Sequence, residues 1–296
     1  MKPWFLFRPG QAINRAWSCC IPPKPGQIQL ETCWEGIFVA DPTHSLGKAI
    51  HDNGIYDIAT SEAIARLVEP GDTVVDCGAN IGYMSVLAGF AASSGGNVIA
   101  FEPHPDLFRT LSANVLLNQN KSRGAIFDLR MQAVGPKTEK AILHVPEGFC
   151  TNDGLASCTD SADGLGKPMD ISMTTLDDVI GKAYVKLLKI DIEGYEAEAF
   201  KGAKLLLQSK RVLNIVFEDH EQGRGEAASI LKHHGYSIFC LGWEWNRPVI
   251  QQLSRGSLLN RYEAPNYIAT FDETSLLKTF KPSGWKVLRN FSKKLS

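Results

Sequence analysis

The sequence predicts an α/β fold: a mostly parallel, seven-stranded sheet with helices on both faces, a β-hairpin insertion and an N-terminal extension. Three observations carry this. From about residue 55, short apolar runs rich in β-branched residues alternate with segments of helical periodicity, the pattern of a parallel sheet wound with helices. The stretch "VVDCGANIGYMSVLAG" (residues 74–89) joins one such run to one such segment through a glycine-broken turn. Near the end, two strand-like runs lack the strand–helix rhythm between them and suit antiparallel pairing. The chain has 296 residues, 44% hydrophobic and 21% charged, which matches ordinary globular composition and one decorated domain.

Residues 1–50 are rich in proline, tryptophan and cysteine ("SCCIPPKPGQIQLETCWEG") and are read as an extension packed on the domain. The domain itself spans 51–275 and an amphipathic segment 276–296. "TSEAIARLVE" is a helix with Thr60 or Ser61 as its cap and "PGD" as its stop. "TVVDCGA" is the first strand and "IGYMSVLAGFAA" its helix; "NVIAFEP" is the second. The helix "PDLFRTLSANVLLNQN" sets Leu107, Phe108, Leu111 and Val115 on one stripe. Its Asn114 and Asn118 are expected at a cap or on the surface. "FDLRMQAV" is the third strand. "KAILHV" and "DISMTT" form a hairpin around a polar loop. "YVKLLKIDI", a single helix "YEAEAFKGAKLLLQS", "VLNIVFED", a helix near 225–234, "YSIFCLG" and "NYIATFD" complete the series.

The turn Asp76-Cys77-Gly78-Ala79-Asn80-Ile81-Gly82 carries the first chemical signal. In wound sheets a ligand sits beyond the carboxyl ends of the strands, at the first strand–helix turn. Glycines there permit positive φ or a close backbone approach, and the helix start offers free N–H groups. Glu102, twenty residues after Gly82, is placed to accept hydrogen bonds from ribose hydroxyls. A dinucleotide site would use G-x-G-x-x-G, whereas this turn reads D-x-G-A-N-x-G and holds an acid where phosphate would be repelled. A nucleoside bearing an amino acid fits better, with Asp76 facing its ammonium and space for its chain at Gly78. The expected cofactor is therefore S-adenosyl-L-methionine.

"VEPGDTVVDCGANIGYMSVLA", "GGNVIAFEPHPDLFRTLSANVLLN", "MTTLDDVI" and "VKLLKIDIEGYEAEAFKGAKLLL" together resemble the FkbM family of S-adenosylmethionine-dependent methyltransferases, over about residues 55–220 and in the right order. The resemblance implies a class I, Rossmann-like methyltransferase fold acting mostly on oxygen. It assigns Asp76, Gly78, Asn80 and Gly82 to the methionine part of the cofactor and Glu102 to its ribose. Cys77 is an unusual filler of the turn, and the chain ends lie outside the resemblance.

"KIDIEG" ends a strand with Lys189, Asp191 and Glu193 alternating onto one side. Three charges at the end of a buried strand are costly unless they act or pair, so either a Lys189–Glu193 ion pair closes the strand or Asp191 stands nearest the transferred methyl. Glu218-Asp219-His220 ends the neighbouring strand and can share a pocket with Asp191. Two routes follow: His220 or Asp191 takes the acceptor proton directly, or Asp191, Glu218 and Asp219 hold magnesium. The metal-free route is preferred, with Asp191, Glu218 and His220 as catalytic candidates. Gln132 is placed to reach the adenine amine and Ser157 to touch substrate. Trp243, Trp245, Arg247, Arg255, Arg261 and Tyr262 fall in a long loop, 242–264, suited to a sugar or acidic substrate, or to packing on the core.

Seven scattered cysteines without C-x-x-C spacing support neither zinc nor a disulfide framework. The expected function is methyl transfer to a hydroxyl of a small molecule or glycan. A net charge of −1 and the lack of a [DN]-P-P-[FYW] stretch argue against nucleic-acid methylation, which stays as an alternative beside non-catalytic nucleoside binding. No run is long enough to span a membrane and no signal peptide is recognised, so a cytoplasmic protein is expected, with a homo-oligomer left open. "PSGWKVLRNFSKKL" places Trp285, Leu288, Phe291 and Leu295 on one helical stripe, expected to dock on the domain rather than on a membrane.

Overall fold

The computed structural model describes residues 22–146, 166–221, 223–253 and 266–288. Strands β1 (Ile28–Glu31) and β2 (Ile37–Ala40) form an antiparallel hairpin, followed by helices α1 (Ser45–Asn53) and α2 (Ile58–Leu67). Then come β3 (Thr73–Cys77), α3 (Tyr83–Ala92), β4 (Asn97–Phe101), α4 (Pro105–Asn118) and β5 (Ile126–Arg130). A small sheet uses β6 (Ala133–Val134), β7 (Glu139–Val145) and β8 (Lys167–Thr174). The series resumes with α5 (Leu176–Ile180), β9 (Val185–Ile190), α6 (Glu196–Lys201), α7 (Lys204–Gln208), β10 (Val212–Glu218) and α8 (Glu226–His233). It ends with β11 (Ser237–Glu244), β12 (Arg247–Gln252), β13 (Asn266–Thr270) and α9 (Glu273–Phe280).

The main sheet runs β12-β11-β13-β10-β9-β3-β4-β5. Its five central and edge strands from β10 to β5 are parallel, and β13 is antiparallel to both β10 and β11. The chain leaves β3 outward through β4 and β5, then returns to β9 on the other side. The order therefore reverses between β3 and β9, where Cys77 faces Ile190, and a ligand crevice is expected at this point. Neighbouring residues divide between the two faces. Val74, Leu187 and Val216 pack with α2, α3 and α9, while Val75, Leu188 and Ile215 pack with α5 to α8.

Several elements differ from the sequence reading. The main sheet has eight strands, because β12 pairs back on β11 within what reads as a loop. The third strand splits at Met131-Gln132, and β6 leaves the main sheet to pair with β8. The hairpin forms as expected from β7 and β8. The single helix after β9 is two, because the Asp177 carboxylate accepts from Leu205 N (2.8 Å) and Leu206 N (2.9 Å) and starts α7 afresh. Helix α2 is capped by Asp57, which accepts from Thr60 N at 3.1 Å, while Ser61 Oγ donates to Tyr56 O.

Both ends of the described chain are drawn into the core. Trp34 and Phe38 are fully buried against Tyr83, whose hydroxyl accepts from Trp34 Nε1 at 2.9 Å. Asn114 and Asn118 are neither caps nor surface residues. They are fully buried and hold β2: Asn114 Oδ1 accepts from Val39 N (2.7 Å) and Asn118 Oδ1 from Ile37 N (3.0 Å), while their amides donate to the same residues' carbonyls. Residues 281–288 pack onto α2, burying Trp285, Val287 and Leu288. Glu62 accepts from Lys286 N and Val287 N, and Arg66 donates to the carbonyls of Thr279, Pro282 and Gly284. The described part of this segment packs on the domain without forming a helix over 281–288; Phe291 and Leu295 lie outside the described residues. No helix among the described residues is long and apolar enough to cross a membrane.

Candidate functional site

A cleft open to solvent lies over the carboxyl ends of β3, β4, β9 and β10. The turn after β3 forms its floor. Gly78 (φ +73°) packs so tightly that a Cβ there would lie 1.9 Å from the Asp191 carbonyl oxygen. Glycine is needed there for that close backbone approach, and Gly78 also lines the cleft. Asn80 takes φ 52°, which asparagine tolerates better than most residues, and Gly82 takes φ +90° against Leu111. Asn80 N donates to Glu102 Oε2 (2.8 Å) and His104 N to Oε1 (2.9 Å), so Glu102 clamps the turn while lining the cleft. Burial pushes its proton affinity up to about 7, against the pull of those two N–H donors. Helix α3 starts at Gly82 with no side-chain cap.

Asp76 does not face the cleft. It is 1% exposed, and its Oδ2 accepts from Ser85 Oγ at 2.5 Å. Its Oδ1 lies 3.4 Å from Lys189 Nζ. Lys189 is the hub: its ammonium donates to Gly78 O (2.9 Å) and lies 3.3 Å from Asp191 Oδ2. Burial opposes that charge, yet Asp191 and Asp76 hold it protonated above the usual lysine range. The ion pairs of Lys189 thus go to Asp76 and Asp191 rather than to Glu193, correcting the strand-closing pair. The expected contact of Asp76 with an ammonium ligand is met inside the protein, by Lys189.

Asp191, Glu193 and Glu218 line one wall. Both acids line the same cleft, so the ends of β9 and β10 do bring them to one pocket. Burial first, then the charges of Asp191 and Glu193, push Glu218 up to about 8. Glu193 (φ 55°) is likewise raised to about 7, by burial and then by Asp191. His220 Nε2 lies 3.4 Å from Glu218 Oε1, but its side chain is 66% exposed and lies outside the cleft lining. Asp219 turns away: its carboxylate accepts from Glu221 N (2.7 Å) and Gly225 N (3.3 Å) and braces the loop before α8. The magnesium trio of Asp191, Glu218 and Asp219 therefore does not converge.

Gln132 lies on the rim beside β6, within the cleft lining. Among the lining residues that the sequence reading did not assign to the site are Tyr56, Asp57, Thr60 and Asn266. Asn266 opposes Glu218 in the β10–β13 pairing, and its Nδ2 donates to Asp57 Oδ2 at 2.9 Å, tying α2 to the sheet. The only available signal was the cap-like Asp57 before α2. Ser157, Arg255, Arg261 and Tyr262 lie outside the described residues. Trp243 packs partly into the core and Trp245 is exposed at the β11–β12 turn.

Residues 76–238 match the family model described as "Methyltransferase FkbM domain". The chain belongs to the FkbM methyltransferase family. It is 30% identical over 200 residues to the 31-O-demethyl-FK506 methyltransferase FkbM of Streptomyces tacrolimicus, covering 58% of this chain and 75% of that one. To the hexuronic acid methyltransferase AglP of Haloferax volcanii it is 28% identical over 162 residues, covering 52% of this chain and 61% of the relative. A solved structure of methyltransferase FkbM from Methylobacillus flagellatus aligns with TM-score 0.43 at 16% identity, over 75% of this chain and 52% of the other.

As an FkbM-family methyltransferase the chain uses S-adenosylmethionine, and its residues fit that cofactor. Glu102 keeps acceptor capacity toward the cleft after binding two backbone N–H groups, as a ribose diol requires. The uncapped start of α3 leaves N–H donors for a carboxylate. Gln132, on the rim, offers both an amide donor and an acceptor to a nucleobase edge.

Proposed function

We propose that this FkbM-family enzyme transfers a methyl group to a hydroxyl oxygen of a small molecule or glycan, with the Asp191–Glu218 carboxyl pair receiving the hydroxyl proton. The supporting observation is that Asp191, held 3.3 Å from Lys189 Nζ, and Glu218 both line the cleft whose floor is the turn after β3. The bound cofactor supplies an already activated methyl on a sulfonium, so the protein's task is alignment and proton removal. Lys189 fixes Asp191 beside the turn, and Glu218 shares the burden of the arriving proton. His220, largely exposed and next to Glu218, passes that proton to solvent. The names of the two relatives, one a 31-O-demethyl-FK506 methyltransferase and one a hexuronic acid methyltransferase, agree with an oxygen acceptor.

The test uses S-adenosylmethionine labelled in its methyl group with 31-O-demethyl-FK506 and hexuronic acid glycosides as first acceptors. Label on a hydroxyl oxygen is expected. Label on carbon or nitrogen overturns the reading. Asp191→Asn should bind S-adenosylhomocysteine normally yet lose on the order of 10²–10⁴ in transfer rate, the usual contribution of a positioned base.

A further inference from the structure

We propose that the start of α2 is an acceptor subsite, where Asp57 and Thr60 grip a second hydroxyl of an uncharged, polyhydroxylated molecule and turn a carboxylate away. The inference names the acceptor class for the hydroxyl-methylation reading above and rests on that reading.

The sheet divides the cleft. Glu102 follows β4 on one side of the reversal between β3 and β9, while Asp191 follows β9 on the other, with Glu218 on β10 and Asn266 on β13 beyond it. With the cofactor's ribose at Glu102, the second half is left for the acceptor. Direct contacts tie α2 to that half. Asn266 stands opposite Glu218 in the β10–β13 pairing, and its Nδ2 donates to Asp57 Oδ2 at 2.9 Å. Asp57 Oδ1 accepts from Thr60 N at 3.1 Å, which fixes the carboxylate at the cleft with acceptor capacity to spare.

Thr60 supplies the complementary group. It lines the cleft, is 2% exposed, and lies one helical turn from Asp57. Its hydroxyl is near enough to steady the Asp57 carboxylate, yet completes no hydrogen bond of ordinary geometry among the described residues. A buried hydroxyl without a partner is costly, and in a helix threonine divides between two χ1 rotamers, so this one can turn to an arriving group. A ligand hydroxyl can donate to Asp57 and accept from Thr60. A carboxylate has no proton for Asp57.

Charge acts in the same direction. The described cleft lining includes the acids Asp57, Glu102, Asp191, Glu193 and Glu218 but only one lysine or arginine, Lys189. Its ammonium is already engaged by Gly78 O (2.9 Å), Asp191 Oδ2 (3.3 Å) and Asp76 Oδ1 (3.4 Å). An acceptor carboxylate would give up its water here and meet like charge with no cation to answer it.

The experiment gives the full chain methyl-labelled S-adenosylmethionine at pH 8.5 with matched acceptors: methyl glucoside against methyl glucuronide, and methyl galactoside against methyl galacturonide. Each neutral member should be labelled with a kcat/KM about tenfold or more above its acid. Thr60→Val keeps the shape and should raise the KM for the neutral acceptor about tenfold while S-adenosylhomocysteine binds as before. Asp57→Asn can still cap α2 and should narrow the preference against the acids. Uronides labelled as fast as hexosides overturn the proposal, as does the absence of label on both hexosides. Thr60→Val weakening S-adenosylhomocysteine with the acceptor KM unchanged assigns α2 to the cofactor and overturns it too. Label on carbon or nitrogen overturns the hydroxyl reading itself, and the position of the methyl tells that failure from the others.

Discussion

Glu102 combines two duties, because its carboxylate clamps the turn through Asn80 N and His104 N and still faces the cleft. The carboxylate is the form that accepts from ribose, and burial raises its proton affinity to about 7 in the free protein. Binding must therefore expel the proton below that pH, so cofactor affinity should climb from pH 6 to 8 and then level off. Glu102→Gln should abolish that climb and weaken S-adenosylhomocysteine by roughly 1–3 kcal/mol, the cost of a buried donor losing its acceptor. Calorimetry across this range checks both; a flat profile in the native chain removes Glu102 from the ribose. At this scale the sequence showed which types of residue gather at the strand ends, since strand alternation and motif spacing are local. It did not show their pairing. Asp76 lies 113 positions before Lys189, and nothing near either one reveals that the lysine would take the place expected for a ligand ammonium.

At the scale of elements, the strands of the main sheet and the hairpin insertion were legible because period-2 runs and turn residues lie side by side in the chain. What escaped were elements made by distant partners. Strand β2 is held through side chains of α4, with Asn114 and Asn118 acting as a two-residue surrogate strand. Helical spacing alone cannot distinguish that from surface asparagines. Asn118→Ala should cost about 1–3 kcal/mol, because Ile37 N and O lose their partner in a partly buried place. Thermal melting of that variant should drop by several degrees; an unchanged melting point would show that the hairpin is held by Trp34 and Phe38 without the clamp.

For the whole molecule, the raised acids make an unusual stability profile. Glu102, Glu193 and Glu218 all bind protons more tightly folded than unfolded, Glu102 and Glu193 to about 7 and Glu218 to about 8. Their contribution is full below the ordinary carboxylate range and is lost as pH rises through 7 to 8. Asp41, Asp52, His104 and His234 are depressed and oppose this toward acid pH. The cofactor-free protein should therefore melt higher at pH 5.5 than at 8.5, and Glu218→Gln should narrow the gap. A chain shortened to end at residue 280 should melt far lower, since it exposes the partners of Trp285, Val287 and Leu288, worth about 1.5–3 kcal/mol each, and strips Glu62 and Arg66 of main-chain contacts. Those two residues sit on the helix that also presents Asp57 and Thr60 to the cleft. The carbonyls bound by Arg66 lie 213 to 218 positions downstream, and β13 slots between β10 and β11 although it is made after both. During synthesis the ribosome thus releases a sheet with a gap and a helix whose Glu62–Arg66 ion pair still lacks its main-chain partners. Both are answered only once residues 266–288 have emerged, so the cleft takes its shape late in the chain's birth.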